Sequence, residues 1–217
     1  MYNLLMKELK LGVNPFFYIM PFLTGALMLI PAWLYFFVIL YFCFLTIPNM
    51  FAVYKTQNDL IFSSMLPVTK KDIVKARVSV IVILEVLHIV VAMIYGVITL
   101  RLYPNLKYIF FPPSFGFWGL CFVMLAIFNI IFITMYYKTA YKYGAANIVA
   151  IAAAMLFVGG AEWLGIKNSF VYDLFKGTGA DNLAIQLSIL IMGIVIFAIF
   201  TIIAYYIANK RFEKVDI

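Results

Sequence analysis

The sequence predicts an all-α, polytopic membrane protein with six transmembrane helices, on three observations. Apolar side chains make up 66% of the 217 residues and charged ones 12%, with a mean hydropathy of +1.06 over the whole chain. That composition rules out a water-soluble core as its explanation. Between Lys10 and Lys55 no residue is charged, a stretch too long for one crossing of about 20 apolar residues and suited to two. The apolar runs are continuous, whereas strands of a transmembrane β-barrel alternate in polarity over about 10 residues. Residues 1–217 therefore read as one transmembrane domain, with no room for a separate soluble one.

The elements follow in order. Residues 1–12 read as an interfacial helix: Met1, Tyr2, Leu5, Met6 and Leu9 share one face, while Asn3, Lys7 and Lys10 lie opposite, with the lysines toward anionic headgroups. Gly12 and Pro15 end it. A basic start before an apolar run also fits a signal peptide, but the run is membrane-thick and lacks a small-x-small cleavage site, so it is expected to be retained. Six spans are then expected at Phe16 to Pro31, Leu34 to Tyr54, Val78 to Leu100, Phe115 to Tyr137, Gly144 to Leu164 and Leu183 to Ala208.

Loop charge orients the bundle. Six spans put both termini on one side, and that side carries Lys7, Lys10, Lys55, Lys70, Lys71, Lys75, Arg77, Lys138, Lys142, Lys210, Arg211 and Lys214; the other carries only Arg101, Lys107, Lys167 and Lys176. The bias places both termini in the cytoplasm of a plasma-membrane protein. Trp33, Trp118 and Trp163 fall at the outer ends, where the indole ring prefers the interface. The basic residues are spread through short loops, so the net charge of +7 reflects topology and not nucleic-acid binding.

The connection 55–77, between the second and third spans, has structure written into it. Asn58 and Asp59 start a short cytoplasmic helix that Leu66-Pro67-Val68 ends. Thr69 and Asp72 have capping-box spacing, so a new helix starts there and runs to Leu100, longer than the hydrocarbon core. An apolar turn such as Leu60-Ile61-Phe62 at this height needs headgroups or another protein to bury it.

Asp59 through Arg77, DLIFSSMLPVTKKDIVKAR, resembles the segment after the second span in small six-span permease subunits of ABC-2 type transporters. There a Leu-Pro-Val/Ile turn precedes a basic helix start ending in Ala-Arg or Ala-Lys. The interfacial helix, the close first hairpin and the span count extend the resemblance over the whole chain. It implies that the short segment is a coupling helix docking on a cytosolic ATPase, with Asn58, Asp59, Leu60, Phe62, Ser63, Leu66 and Pro67 as contacts. It also implies a second permease copy, identical or not, with the first, second and fifth spans near the dimer interface. Bacterial exporters of cytolytic or antimicrobial peptides, including the phenol-soluble modulin exporter, are of this kind.

No stretch has the G-x-x-x-x-G-K-[ST] spacing that would hold nucleotide phosphates. ATP and Mg²⁺ are accordingly expected on a separate ATPase, with no catalytic residue, metal or cofactor held by this chain. Within the spans, Glu85 is the one acid expected inside the membrane and His88 lies three residues on, close enough to share a hydrogen bond or a proton. Structural packing and a role in gating or substrate contact both fit that pair. Asn129 and Asn147 are amides able to join helices, and Gly144, Ala146, Ala150, Ala153 and Ala154 make the fifth span small-sided. Cys43 and Cys121 fall inside spans as packing residues, and the outer loop Ile166 to Asn182 reads as a solvated cap.

A zinc protease would need H-E-x-x-H, yet the chain has one histidine; rhomboid-like and paired-acid signatures are also missing. The function expected is therefore an exporter permease for amphipathic or hydrophobic cargo such as peptides. A lipid or drug exporter fits the same residues, and the rival from another class is a membrane-embedded accessory or immunity protein.

Overall fold

The computed structural model describes residues 2–65, 67–139, 142–176 and 182–215, which are helical with short connections. The elements are α1 (Tyr2–Lys7) continued by a π-turn (Glu8–Gly12), α2 (Phe16–Gly25) tightening into a 3₁₀ turn (Ala26–Leu29), α3 (Phe36–Tyr41), a π-turn (Phe42–Thr46), and α4 (Ile47–Thr56). Then come α5 (Asp59–Ser64), α6 (Lys70–Leu102), α7 (Phe115–Thr139), α8 (Tyr143–Lys167), α9 (Ser169–Lys176) and α10 (Leu183–Phe212). Five of the resulting helices are long and apolar enough to cross a membrane: Phe36–Thr56, α6, α7, α8 and α10. With the shorter apolar helix Phe16–Leu29 they form a multi-pass membrane protein.

Two spans depart from expectation. The first is shorter than Phe16 to Pro31: ten α residues and four 3₁₀ residues reach about 23 Å, less than the roughly 30 Å core. Ile30 then turns extended and Ala32 takes a left-handed φ of 54°, which starts the hairpin. The second span is one helix with a π-turn in its middle. Pro48, just after that turn, has no N–H to give to the carbonyl four residues back, which favours the looser register.

The capping box appears as the sequence spells it: the Asp72 N–H donates to Thr69 Oγ1 at 3.2 Å, and the Thr69 N–H donates to Asp72 Oδ2 at 3.2 Å. From there α6 runs 33 residues, about 50 Å at 1.5 Å per residue. Its first turn also receives the end of the chain, since Lys70 Nζ donates to the Val215 carbonyl at 2.7 Å.

The core lies between α4, α6, α7 and α10. Phe51 meets Phe132 and Tyr136 edge-on, with ring centroids 4.9 and 4.6 Å apart. Such contacts add to the burial of large rings. Helices α7 and α10 meet backbone on backbone at Gly119 and Gly193. A Cβ on Gly119 would stand 2.5 Å from the Ile189 carbonyl oxygen, and one on Gly193 would overlap the Gly119 carbonyl. The small-sided fifth span packs through three of its named residues, Ala146, Ala150 and Ala154, continued by Val158 and Glu162 at one residue per turn, so Glu85 is not the one acid within a span, while Gly144 has open space around it.

Two outer-end expectations change. Trp118 is buried against Gly96 instead of sitting at the lipid surface. Ile166 to Asn182 is more than a solvated cap, because α9 inserts Phe175 over Gly116 and against Phe111, with ring centroids 4.4 Å apart. The turn at Gly177-Thr178-Gly179 lies outside the described residues.

Candidate functional site

The site grows from α5, a helix of six residues. Positions 59, 60 and 63 share one face and 61, 62 and 65 the other, by the three-to-four residue repeat of a helix. Asp59, Leu60 and Ser63 are buried, whereas Ile61, Phe62 and Met65 are exposed at 45%, 55% and 78%. The contact set expected for an ATPase therefore divides. Asn58, Phe62 and Pro67 face outward, Asp59, Leu60 and Ser63 face the subunit's own interior, and Leu66 lies outside the described residues. The reason is electrostatic: the Asp59 carboxylate finds two cations inside the chain.

Asp59 accepts from Arg77 Nη2 through one oxygen and from Lys7 Nζ through the other, the latter at 2.5 Å. Lys7 also donates to Ser63 Oγ at 2.8 Å and pairs with Glu8 at 3.3 Å. Arg77 has Glu8 Oε2 3.9 Å from its Nε, donates from Nη1 to the Tyr136 hydroxyl at 3.3 Å, and lies 4.5 Å above the Tyr54 ring. Two cations and two anions thus sum to zero in a nearly dry site, where Arg77 is 1% exposed and Glu8 fully buried. Burial that close is tolerated because the charges are paired, and Arg is suited to it by its several fixed donors.

Gly12 makes the packing possible: a Cβ there would stand 2.7 Å from the Tyr54 ring and 3.1 Å from Glu8 Oε2. Burial alone would raise the Asp59 carboxyl, but the Arg77 guanidinium and the Lys7 ammonium outweigh it and hold the group below its ordinary value. The four charges join three elements: the N-terminal segment, α5 and the first turns of α6. A cavity of about 190 Å³ lies beside them, walled by Tyr54, Lys55, Asn58, Arg77, Tyr136 and Tyr143 among others.

Asn58 sets the angle between α4 and α5. It occupies the cap position with φ 50° and ψ 34°, left-handed, and its side chain makes no capping bond. Asparagine tolerates that region better than other non-glycine residues. Asn58→Gly is accordingly expected to leave stability within about 0.5 kcal/mol of wild type, and Asn58→Val to lose about 1–2 kcal/mol. Thermal unfolding of the purified protein measures both.

Sequence reasoning found the segment and missed its counterparts. Lys7, expected at anionic headgroups, turns instead to Asp59, Ser63 and Glu8 inside the chain; Arg77 counted as a topology charge and the end of the motif, and Glu8 passed unremarked. An acid beside a lysine in an apolar N-terminal run, with a second acid opening the next short helix, is the signal that was there to use.

The intramembrane polar residues also separate. Glu85 and His88 do not bond each other. Glu85, fully buried, accepts from Asn129 Nδ2 at 2.9 Å, and the same amide donates to Thr201 Oγ1 at 3.3 Å, so the group ties α6 to α7 and α10. His88 turns to the first hairpin: its Nε2 lies 2.8 Å from the Val38 carbonyl, which can only accept, so that nitrogen carries the proton; Thr24 Oγ1 stands 3.3 Å away. Three residues of a helix are about 300° of rotation, enough here to give each residue a different neighbour. Asn147 is buried, and its Oδ1 has no partner among the described residues.

No curated protein and no solved structure matches the chain. The family described as ABC-2 family transporter protein matches residues 3–213, which spans every element above, from the N-terminal segment to the end of α10. Such permeases are generally not enzymes and normally work with a separate ABC ATPase. The chain belongs to the ABC-2 family, as a permease subunit of an ABC transporter.

Proposed function

We propose that this permease exports amphipathic or hydrophobic cargo, such as peptides, and that α5 is the coupling helix through which a cytosolic ATPase drives it. The observation that carries the reading is the two-sidedness of α5. Its inner face is fastened by Asp59 and Ser63, while Ile61, Phe62 and Met65 stand exposed beyond the ends of the long spans. An apolar patch on a helix this short, held rigidly from behind, suits a groove on a partner better than free solvent does. Phe62 and Met65, with Asn58 and Pro67 beside them, are then the contacts; Asp59, Leu60 and Ser63 hold the helix in place.

On this reading ATP and Mg²⁺ are bound by the partner, this chain binds no cofactor, and a second permease copy completes the pathway. Both termini face the cytoplasm across the plasma membrane. Closure of the ATPases pushes α5, and the push passes through Asp59 to Arg77 and α6, and through Lys7 to the N-terminal segment. Glu85 with Asn129, and His88 with Val38, lie farther along α6 and hold it to opposite sides of the bundle, where a displacement of α6 would be shared out.

The test is co-purification with the nucleotide-binding subunit. The wild-type chain is expected to bring an ATPase with it in near one-to-one ratio, and Phe62→Asp, at an exposed position, to lower the recovered ATPase at least tenfold while the permease still folds. Undiminished recovery would remove α5 as the docking element. Efflux of amphipathic peptides from cells carrying the intact pair, against a catalytically dead ATPase, tests cargo and direction.

A further inference from the structure

At the end of the bundle opposite the ionic cluster, two cavities share the same three walls. One, of about 400 Å³, is almost wholly apolar and is lined by Phe111, Leu156, Phe157, Gly160, Leu164 and Phe175 among others. The other, of about 500 Å³, is lined by Lys107, Tyr108, Ile109, Ile166, Lys167, Ser169 and Tyr172. The first uses Phe111, Leu164 and Val171 where the second uses Ile109, Ile166 and Tyr172, so each wall passes from one cavity to the other within two residues. The wall formed by α9 is fixed in place: Tyr172 donates to the Tyr108 carbonyl at 2.8 Å, Gln186 Nε2 donates to the Leu174 carbonyl at 2.8 Å, and Phe175 packs on Phe111.

The apolar cavity opens sideways. Leu156 and Leu164 on its rim are 78% and 50% exposed, on a helix that the fold places in the membrane, and a Cβ on Gly160 would meet nothing within 4 Å. The second cavity presents two exposed lysines and Ser169, with no acid among its lining residues; the Tyr108 hydroxyl is buried and the Tyr172 hydroxyl is held by the Tyr108 carbonyl, while of the neighbouring acids Asp173 is exposed and Glu162 is buried behind Phe111, accepting from its N–H at 3.3 Å. Across the walls that the two cavities share, charge and polarity therefore change together, from an apolar slot at membrane depth to a cationic mouth at the interface. That sequence of surfaces complements one kind of molecule, an amphiphile with hydrocarbon at one end and negative charge at the other.

We propose that an anionic phospholipid bridges these two neighbouring cavities, with an acyl chain in the slot under α9 and the phosphate-bearing head between Lys107 and Lys167. The lipid is a resident ligand and not cargo, and the site is independent of the ATPase-docking reading of α5. Two ammonium groups give a headgroup with net negative charge an advantage over a zwitterionic one of the same chain length. Filling the slot removes the chain's place regardless of the head.

The experiment uses the full chain purified in detergent, incubated with equimolar phosphatidylglycerol and phosphatidylcholine of identical acyl chains, and retained lipid is counted by native mass spectrometry. Wild type is expected to retain phosphatidylglycerol at least fivefold over phosphatidylcholine. Lys107→Gln with Lys167→Gln should bring that ratio near one. Gly160→Phe, which places a ring in open space, should lower retention of both lipids at least fivefold. Lys138→Gln with Lys210→Gln, exposed cations at the other end, should change nothing. Equal retention of the two lipids by wild type overturns the proposal, as does an unchanged ratio in the Lys107/Lys167 variant or undiminished retention in Gly160→Phe. Loss of selectivity in the Lys138/Lys210 control also overturns it, as a general charge effect. Blocked peptide efflux in Gly160→Phe with lipid retention intact would make the slot a cargo site and overturn it too.

Discussion

Asp59→Asn is expected to destabilise the folded permease by about 3–5 kcal/mol, the usual range when one member of a buried charge cluster is removed and its partner stays behind. The amide keeps the shape but leaves Arg77, 1% exposed, with only Glu8 at 3.9 Å and a neutral oxygen where the carboxylate was. Removing the charges in pairs should cost less: Asp59→Leu with Arg77→Leu is expected to lose less than the sum of the single variants by at least about 1 kcal/mol. Unfolding of the four proteins in the same detergent gives this cycle directly. The same carboxyl sets a pH dependence. Its value in the fold is held below the ordinary one, so its contribution is fully present above the ordinary carboxylate value of about 4 and is lost as pH falls through the lowered one. Stability attributable to Asp59 should accordingly stay level from neutral pH down to about 5, and its loss in stronger acid should be absent from Asp59→Asn.

Gly193→Leu is expected to abolish the folded bundle, and Gly193→Ala or Gly119→Ala to cost about 3 kcal/mol or more. These lie at or beyond the upper end of overpacking penalties because the obstacle is backbone, which cannot change rotamer. A Cβ on Gly119 meets the Ile189 carbonyl at 2.5 Å, and one on Gly193 meets Gly119 itself; neither is relieved without separating α7 from α10 along their length. Gly144→Ala and Gly159→Ala are the matched controls, with open space at each Cβ, and each should change stability by less than about 0.5 kcal/mol. Monodispersity on size exclusion and thermal unfolding distinguish the two sets.

Those glycines mark where the sequence was least legible. A glycine in a uniformly apolar helix looks the same whether it faces lipid or a carbonyl oxygen, and Gly119 and Gly193 are 74 residues apart, so no local pattern pairs them. The small-sided fifth span drew attention instead because its residues cluster within a few turns. Spans were legible for the opposite reason: length and hydropathy are local properties, and six apolar stretches were placed close to their helices. The Thr69–Asp72 capping box and the stop at Pro67 were likewise written in adjacent residues. At the candidate site the segment around α5 could be found, but not its inward face, because the partners of Asp59 lie 52 and 18 residues away. Glu85 and His88 mislead in the same way. Three residues apart on one helix, they read as a pair until the neighbouring helices claim them separately.

The first span, at 14 residues, has a consequence for the membrane as well as for the protein. Its roughly 23 Å falls about 7 Å short of an average hydrocarbon core, and such mismatch is met by thinning of the adjacent lipid, by snorkelling of flanking residues or by oligomerisation, at fractions of a kcal/mol per ångström. Where thinning is the response, lipid beside the outer face of this helix, on which Phe16, Ile19, Phe22 and Leu23 are about half exposed, is expected to form a dimple. Such a dimple would follow from the chain's own geometry and need no ATP to maintain it. Shorter-chain lipids should gather there, and an amphiphile crossing beside this helix would meet a thinner oil layer than anywhere else around the subunit.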